Sequence, residues 1–403
     1  MCWKLSCVLR RMSAPSRKQS EDDVTNILIF GVTGMTGGAV AEAALGCAWF
    51  RVNGFTRTMQ GEAYDELVSK GVTLHTGDMT KPLTIKGAME NIDTVFLHTT
   101  YWETMSVDIE YQQGFNVVNA AMQSKVKHLI YIGAEYSSLT AKERCKYFEG
   151  KAMVENYIVN AGIPYTIVHL GFCYENLLTV FKPHQTTKNE FAVALPMGDV
   201  GLNCGSIVDF GHCISKMALR TDSYVFKTIK LSTSYLTVND IVEKLNAFFP
   251  DLRFYNPKIP VAAFYQFMFD GAEELASMFA HYRTLSEWDH TVAMELNSYN
   301  RSFEQWLKDT DKVFLEVLME NQETFATIDS FRGAHEMVKK KIMDVMPFNL
   351  FFSSPVSLPV PKVEKEASLV TQEEIRHNKR CRAFSEAHKP KNLLKDQHFG
   401  TDV

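Results

Sequence analysis

The chain carries eight cysteines in 403 residues, yet it has no C-x-x-C pair and no Cys/His spacing of the kind zinc requires. Cys2, Cys7, Cys47, Cys145, Cys173, Cys204, Cys213 and Cys381 are scattered, most of them inside apolar runs. That pattern argues against a disulfide framework and against a metal site, and reads as buried thiols in a reducing compartment. Long hydrophobic runs are missing too. Nothing approaches the roughly 20 apolar residues that a membrane span requires. Basic charge is equally short: a net charge of −5 provides no global field for direct nucleic-acid binding. What remains is a composition of 46% hydrophobic and 22% charged residues, that of a soluble globular protein. The length suffices for a nucleotide domain plus a smaller partner domain.

The most informative stretch is Val24 to Gly38, VTNILIFGVTGMTGG. Ile27, Leu28, Ile29 and Phe30 form a short apolar run suited to the first strand of a parallel sheet. Gly31, Gly34 and Gly37 follow at G-x-x-G-x-x-G spacing. The first allows a tight turn, the second lets backbone approach a pyrophosphate, and the third lets helix pack on strand. The helical run Ala39 to Leu45 then presents its N-terminus to phosphates. Strand, glycine turn and helix together predict dinucleotide binding, with a cofactor-free relic of the same fold as the alternative.

Downstream, apolar strand patterns recur at 50–56, 71–76, 92–98, 127–133 and 164–170. Helical patterns separate them at 62–70, 83–90, 104–124 and 145–161. This alternation predicts right-handed βαβ crossovers and an α/β fold with a Rossmann-type doubly wound parallel sheet. Ligands of such sheets lie outside the carboxyl ends of the strands. Beyond about 172 the rhythm loosens into short strands and turns at 190–206, a helix at 207–220, a strand at 226–231 and a helix from Thr237. The dividing lines are a disordered leader at 1–23, a Rossmann domain at 24–171, a smaller α/β C-terminal domain at 172–318, and an extension at 319–403.

Both ends should be disordered. Before Glu21 the chain has Lys4, Arg10, Arg11, Arg17 and Lys18 and no acid. That start reads as a leader or as sequence upstream of a start at Met12, with a mitochondrial presequence as the alternative. From about 355 the tail is broken by Pro355, Pro359 and Pro361, and 376–395 holds seven Lys or Arg against the single acid Glu386. A solvated tail is one reading; a weak electrostatic contact with lipid, nucleic acid or an acidic partner is the other.

Several ordered blocks now stand together: GVTGMTGG at 31–38, FTR at 55–57, TTYWE at 99–103, FEGKAMVENY at 148–157, GIPYTIVHLGFCYENLL at 162–178, ALPMGDV at 194–200 and FEQWL at 303–307. From about Thr25 to Phe314 the chain resembles the NmrA-like family, an atypical branch of the short-chain dehydrogenase/reductase superfamily. The resemblance implies an NAD(P)-binding Rossmann domain, a small C-terminal domain and a role as redox-state sensor. It implies regulation, in some members of transcription factors, without obligatory turnover. A regulatory protein partner, a homodimer and a cytoplasmic or nuclear location are expectations of that kind.

The cofactor expected is NADP(H). Arg57 ends the second strand, 20 residues after Gly37, and residues 50–60 contain no acid. NAD-specific sites place Asp or Glu there, whereas Arg accommodates a 2′-phosphate; an ordinary surface arginine is the alternative. Relatives have a further lysine in the loop where this chain reads Thr58-Met-Gln-Gly61, and a basic residue near Gln112, so the clamp rests on Arg57 nearly alone. The glycine turn contributes Gly31, Val32, Thr33, Gly34, Met35, Thr36 and Gly37. By resemblance Asp78 and Met79 border the adenine, though Asp78 suits a turn cap equally well. Thr99, Thr100 and Tyr101 follow the ribose and phosphates, and Cys173, Tyr174, Glu175 and Asn176 lie at the nicotinamide side.

Tyr147 and Lys151 form the Tyr-x-x-x-Lys pair of the superfamily, one helical turn apart on one face. The lysine is expected to hold the nicotinamide ribose and to lower the phenol's pKa, making the tyrosine a proton donor or acceptor. The superfamily's oxyanion-polarising serine is missing: the residue 13 before Tyr147 is Ala134, and Ser137 and Ser138 fall in a loop of unfixed direction. Tyr147 is therefore a catalytic residue or a helix-surface tyrosine. Three functions follow: an NADPH-binding sensor, an NADPH-dependent reductase of a small carbonyl or quinone using Tyr147 and Lys151, and a cofactor-stabilised scaffold.

Overall fold

The computed structural model describes residues 24–135, 144–266 and 271–319. The expectations for the leader, for the basic tail and for Ser137 and Ser138 lie outside the described residues. Seven parallel strands form the main sheet: β1 (Thr25–Phe30), β2 (Phe50–Thr56), β3 (Thr73–Thr76), β4 (Thr94–Leu97), β5 (His128–Gly133), β6 (Tyr165–Leu170) and, much later in the chain, Lys227–Leu231. Their order places the late strand first, then β6-β5-β4-β1-β2-β3. The order reverses between β1 and β4, which opens a crevice above their carboxyl ends.

Alternation along the central strands explains the two hydrophobic layers. Ile27 and Ile29 of β1 face one core, with Val40 and Ala44 of helix α1 (Met35–Leu45). Leu28 and Phe30 face the other, with Val117 and Ala121 from the helix at 107–123. All four strand residues are fully buried, as a sheet covered on both faces demands. The remaining helices of this half are α2 (Glu62–Ser69), α3 (Pro82–Lys86), α4 (Tyr101–Thr104), α5 (Val107–Gln123) and α6 (Lys146–Ala161).

After 171 the chain returns to the first layer. Helix α7 (Ile207–Leu219) lies against α1, with Ser215 Oγ donating to the Val40 carbonyl at 3.3 Å. The strand at 227–231 pairs parallel with β6 from Lys227↔Thr166 to Leu231↔Leu170. It belongs at an edge: Ile229 and Leu231 are buried while Lys227 and Lys230 are exposed, and edge lysines discourage pairing with another chain.

The rest is a smaller α/β unit over the carboxyl edge. It holds β7 (Phe172–Cys173), β8 (His184–Thr187), β9 (Glu190–Ala192), β10 (Leu202–Gly205), β12 (Ser234–Leu236) and β13 (Arg253–Tyr255), the edge strand of the main sheet being β11. Two three-stranded sheets result, β12-β10-β7 and β13-β9-β8. Its helices are α8 (Thr221–Tyr224), α9 (Val238–Phe248), α10 (Val261–Phe264), α11 (Ala272–Tyr282), α12 (Thr291–Leu296) and α13 (Phe303–Met319). Thr237 starts α9 with a reciprocal cap: its Oγ accepts from the Asp240 N–H at 3.1 Å, and its own N–H donates to Asp240 at 2.8 Å. Among the described residues no helix is long and apolar enough to cross a membrane.

Candidate functional site

The strand ends and the smaller unit enclose a cleft of about 670 Å³. Its phosphate end is made of backbone. Gly31 has φ +71°, a left-handed conformation that a side chain would strain. A Cβ on Gly37 would stand 2.6 Å from the Gly31 carbonyl carbon and 3.1 Å from the Val32 nitrogen, so only glycine lets α1 start this close to β1. No side chain caps the first turn of α1. The result is an open helix N-terminus behind a glycine turn, a cradle whose N–H groups and dipole suit a pyrophosphate. The donors present fit a dinucleotide.

At the same end, Arg57 leaves β2 and reaches Glu103 of α4, Nη2 to Oε1 2.7 Å. Asp78 lines the cleft nearby, but its carboxylate is occupied as a turn cap, accepting from the Thr80 N–H and Oγ at 2.8 Å each. The Thr80 N–H, reinforced by Lys81 and Arg57, holds the Asp78 carboxyl below its usual range. Asn116 Nδ2 donates to the Met79 carbonyl at 2.9 Å and fixes the adjoining loop. Gln113 does the same for the loop after β4, accepting from the Thr100 N–H at 3.0 Å.

The other end is made of side chains. Tyr147 lines the cleft within an aromatic group, its ring centroid 5.7 Å from Tyr101, 5.4 Å from Trp102 and 5.2 Å from Phe148. Lys151 is fully buried and does not line the cleft. Its Nζ donates to Glu110 Oε1 at 3.1 Å, to Thr99 Oγ1 at 3.3 Å and to the Thr99 carbonyl at 3.4 Å. It sits 5.3 Å from the centroid of the Tyr147 ring, as a cation over a π face. The lowering of the Tyr147 pKa expected from sequence is therefore corrected. Burial, with Tyr282 and Glu110 nearby, pushes that phenol well above its ordinary value. Glu110 is raised as well, because burial outweighs the pull of Lys151 and the Thr99 hydroxyl.

Beyond Tyr147 lies His169 at the end of β6, with Nε2 3.0 Å from Glu155 Oε2 on α6. Across the cleft stands His281 of α11, whose pKa is lowered mainly by burial. Among the described residues neither His169 Nδ1 nor His281 Nε2 has a hydrogen-bond partner. Ala134, the residue 13 before Tyr147, lines the cleft.

Of the residues named from sequence, Gly31, Thr33, Gly34, Met35, Thr36, Arg57, Asp78, Met79, Thr99, Thr100, Tyr101, Tyr147, Cys173 and Asn176 line this one cleft. Val32, Gly37, Lys151, Tyr174 and Glu175 do not. Gly37 is the support of the glycine turn and Val32 belongs to the core. Tyr174 turns away to Ser234, oxygen to oxygen 2.5 Å. Glu175 is a buried clasp: Ser206 Oγ at 2.7 Å, the Ile207 N–H at 2.9 Å and Trp306 Nε1 at 3.1 Å all donate to it. Those donors favour the ionised form, but complete burial wins and pushes its pKa up to about 7. Gln113, Glu103, Glu110, His169 and His281 were not read from sequence.

Among the described residues no group of three or more His, Cys, Asp or Glu could hold a metal ion. Residues 23–315 match the NmrA-like family, and the chain belongs to it. An NmrA-like family domain-containing protein of Dictyostelium discoideum is 24% identical over 228 residues, covering 54% of this chain and 75% of its own length. An NmrA-like family domain-containing oxidoreductase of Aspergillus flavus is 29% identical over 160 residues, or 38% of this chain and 48% of that one. Among solved structures, NmrA, a negative transcriptional regulator in complex with NADP, superposes with a TM-score of 0.62 at 17% identity, covering 74% of this chain and 99% of that one.

Proposed function

We propose that the protein is an NADP(H)-binding redox-state sensor and regulator with little or no turnover. The glycine turn and open start of α1 hold the pyrophosphate, and Arg57 takes the 2′-phosphate. When bound, NADPH carries a hydride; what this chain does with that hydride depends on the far end of the cleft. The observation that carries the sensor reading is Lys151. Its ammonium is committed to Glu110 and Thr99 behind the cleft wall, so it neither reaches a ribose nor assists Tyr147. Ala134, 13 residues before Tyr147, lines the cleft without a hydroxyl of its own, where a serine donor to a developing oxyanion would contribute about 3–4 kcal/mol.

A sensor needs a cofactor that binds one conformation better than another. The test compares hydrogen exchange with and without NADPH and NADP⁺. The two forms should protect the smaller unit differently, and Arg57→Glu should abolish the NADPH-dependent change. Retention of that change in the variant would sink the reading. A regulatory protein partner, a homodimer and a cytoplasmic or nuclear site of action belong to the same proposal.

One observation favours a second reading, an NADPH-dependent reductase of a small carbonyl or quinone. Tyr147 does line the cleft, as do His169 and His281. Under that reading Tyr147 donates the proton, and turnover disappears in Tyr147→Phe.

A further inference from the structure

NAD-type sites place an acid at the end of the second strand to accept from the ribose hydroxyls, and this chain has Arg57 there instead. The structure nevertheless puts a carboxylate at that point of the cleft, from a different element. Glu103, on the one-turn helix α4, lies with its Oε1 2.7 Å from Arg57 Nη2, and both residues line the cleft beside Asp78, Met79 and Thr80. Arg57 remains 59% exposed and Glu103 25%, so the pair sits at the mouth, where a ligand can reach either partner.

The position of Glu103 is not that of a free surface side chain. Its helix is closed by Met105 in a left-handed conformation, φ 51°, whose N–H donates to the Tyr101 carbonyl at 2.7 Å. Tyr101 is buried and its hydroxyl donates to Glu274 Oε1 of α11 at 3.2 Å. Trp102 stacks by its edge on Tyr101 at 5.5 Å. Two anchors thus hold the turn that carries the carboxylate to Arg57.

We propose that Glu103 is a specificity-determining residue of the cofactor site: its carboxylate competes with a 2′-phosphate for Arg57 and accepts from a ribose 2′-hydroxyl. This rests on the reading that Arg57 meets the 2′-phosphate. A phosphate dianion arriving at Arg57 meets the carboxylate already paired there, and like charges at contact repel. A 2′-hydroxyl arriving at the same place meets an acceptor of the right charge. One position therefore weakens NADP(H) and supports NAD(H), and the chain's preference between them is narrower than Arg57 alone would set.

The experiment titrates NADPH and NADH separately, by fluorescence, into the full-length protein, Glu103→Gln and Arg57→Ala. Glu103→Gln should tighten NADPH by about fivefold, the scale of an exposed ion pair, and weaken NADH by about threefold. The NADPH preference would then rise by roughly tenfold or more. An unchanged preference in Glu103→Gln, with Arg57→Ala selectively losing NADPH, overturns the role of Glu103 and leaves that of Arg57 standing. Equal weakening of both cofactors in Arg57→Ala overturns the underlying reading and this inference with it. Glu103 is 25% exposed at the mouth, so Glu103→Gln should unfold at the temperature of the parent protein. A large drop in that temperature would make α4 a structural strut and also overturn the proposal.

Discussion

The two ends of the cleft are built by different means. At the phosphate end the geometry is backbone: a left-handed Gly31, a Gly37 with no room for Cβ, and a helix start without a side-chain cap. At the far end it is side chains: the buried Lys151–Glu110 pair, an aromatic group around Tyr147, and the His169–Glu155 contact. Backbone geometry forces particular residues into particular positions, so little variation is tolerated. Side-chain geometry can be rewired while the fold stays the same. The first end has the means to hold a dinucleotide, and at the second Lys151 is turned inward onto Glu110.

The sharpest way to break this contrast is to remove Glu110. Glu110→Ala removes the acid partner of the buried Lys151 and should cost about 3–5 kcal/mol of stability, read as a lower urea midpoint. Replacing both partners together, Glu110→Leu with Lys151→Met, should recover much of that loss. A cost under about 1 kcal/mol for Glu110→Ala would mean that Lys151 is free to turn to the cleft.

Next in size is the pH response of Glu175. Its folded pKa of about 7 lies above the ordinary glutamate value of 4.5, so the folded state takes up the proton more readily. Its contribution is complete below the unfolded pKa and is lost as pH rises toward 7, a decline of about 3 kcal/mol. Glu175→Gln should flatten the fall in stability between those two pH values relative to the parent. An identical slope in both proteins would show that the clasp holds an ionised carboxylate instead.

Gly37→Ala acts on the other end. The added methyl would collide with the Gly31 backbone, and NADPH affinity should fall on the order of 100-fold in a calorimetric titration. Retained affinity would show that the turn can relax. The smallest effect belongs to Tyr147→Phe. It removes a hydroxyl whose ring is held by aromatic contacts, and NADPH affinity should stay within about twofold.

The same division governs how much could be read from the sequence. The strand at 50–56 and the helix start at Thr237 were legible in the sequence, because alternation and helix-starting residues are local signals. The parallel sheet followed from the pace of strand and helix. The edge strand at 227–231 was read as a strand at 226–231, but its pairing with β6 is a matter of tertiary register. Tyr-x-x-x-Lys spacing set Tyr147 and Lys151 on one helix face and the resemblance aimed Lys151 at the nicotinamide ribose, whereas its ammonium turns to a buried acid. That direction is decided by Glu110, 41 residues away in sequence. Glu103 was part of a quoted motif, and its meeting with Arg57 needed the fold.

One measurement bears on the central claim most directly: NADPH consumption by the full-length protein against aldehydes, ketones and quinones, with NADPH and NADP⁺ binding titrated on the same sample. Saturable binding of both forms with no consumption beyond the uncatalysed rate is the result predicted. Steady turnover that is lost in Tyr147→Phe would contradict it and make the far end of the cleft a working catalytic site.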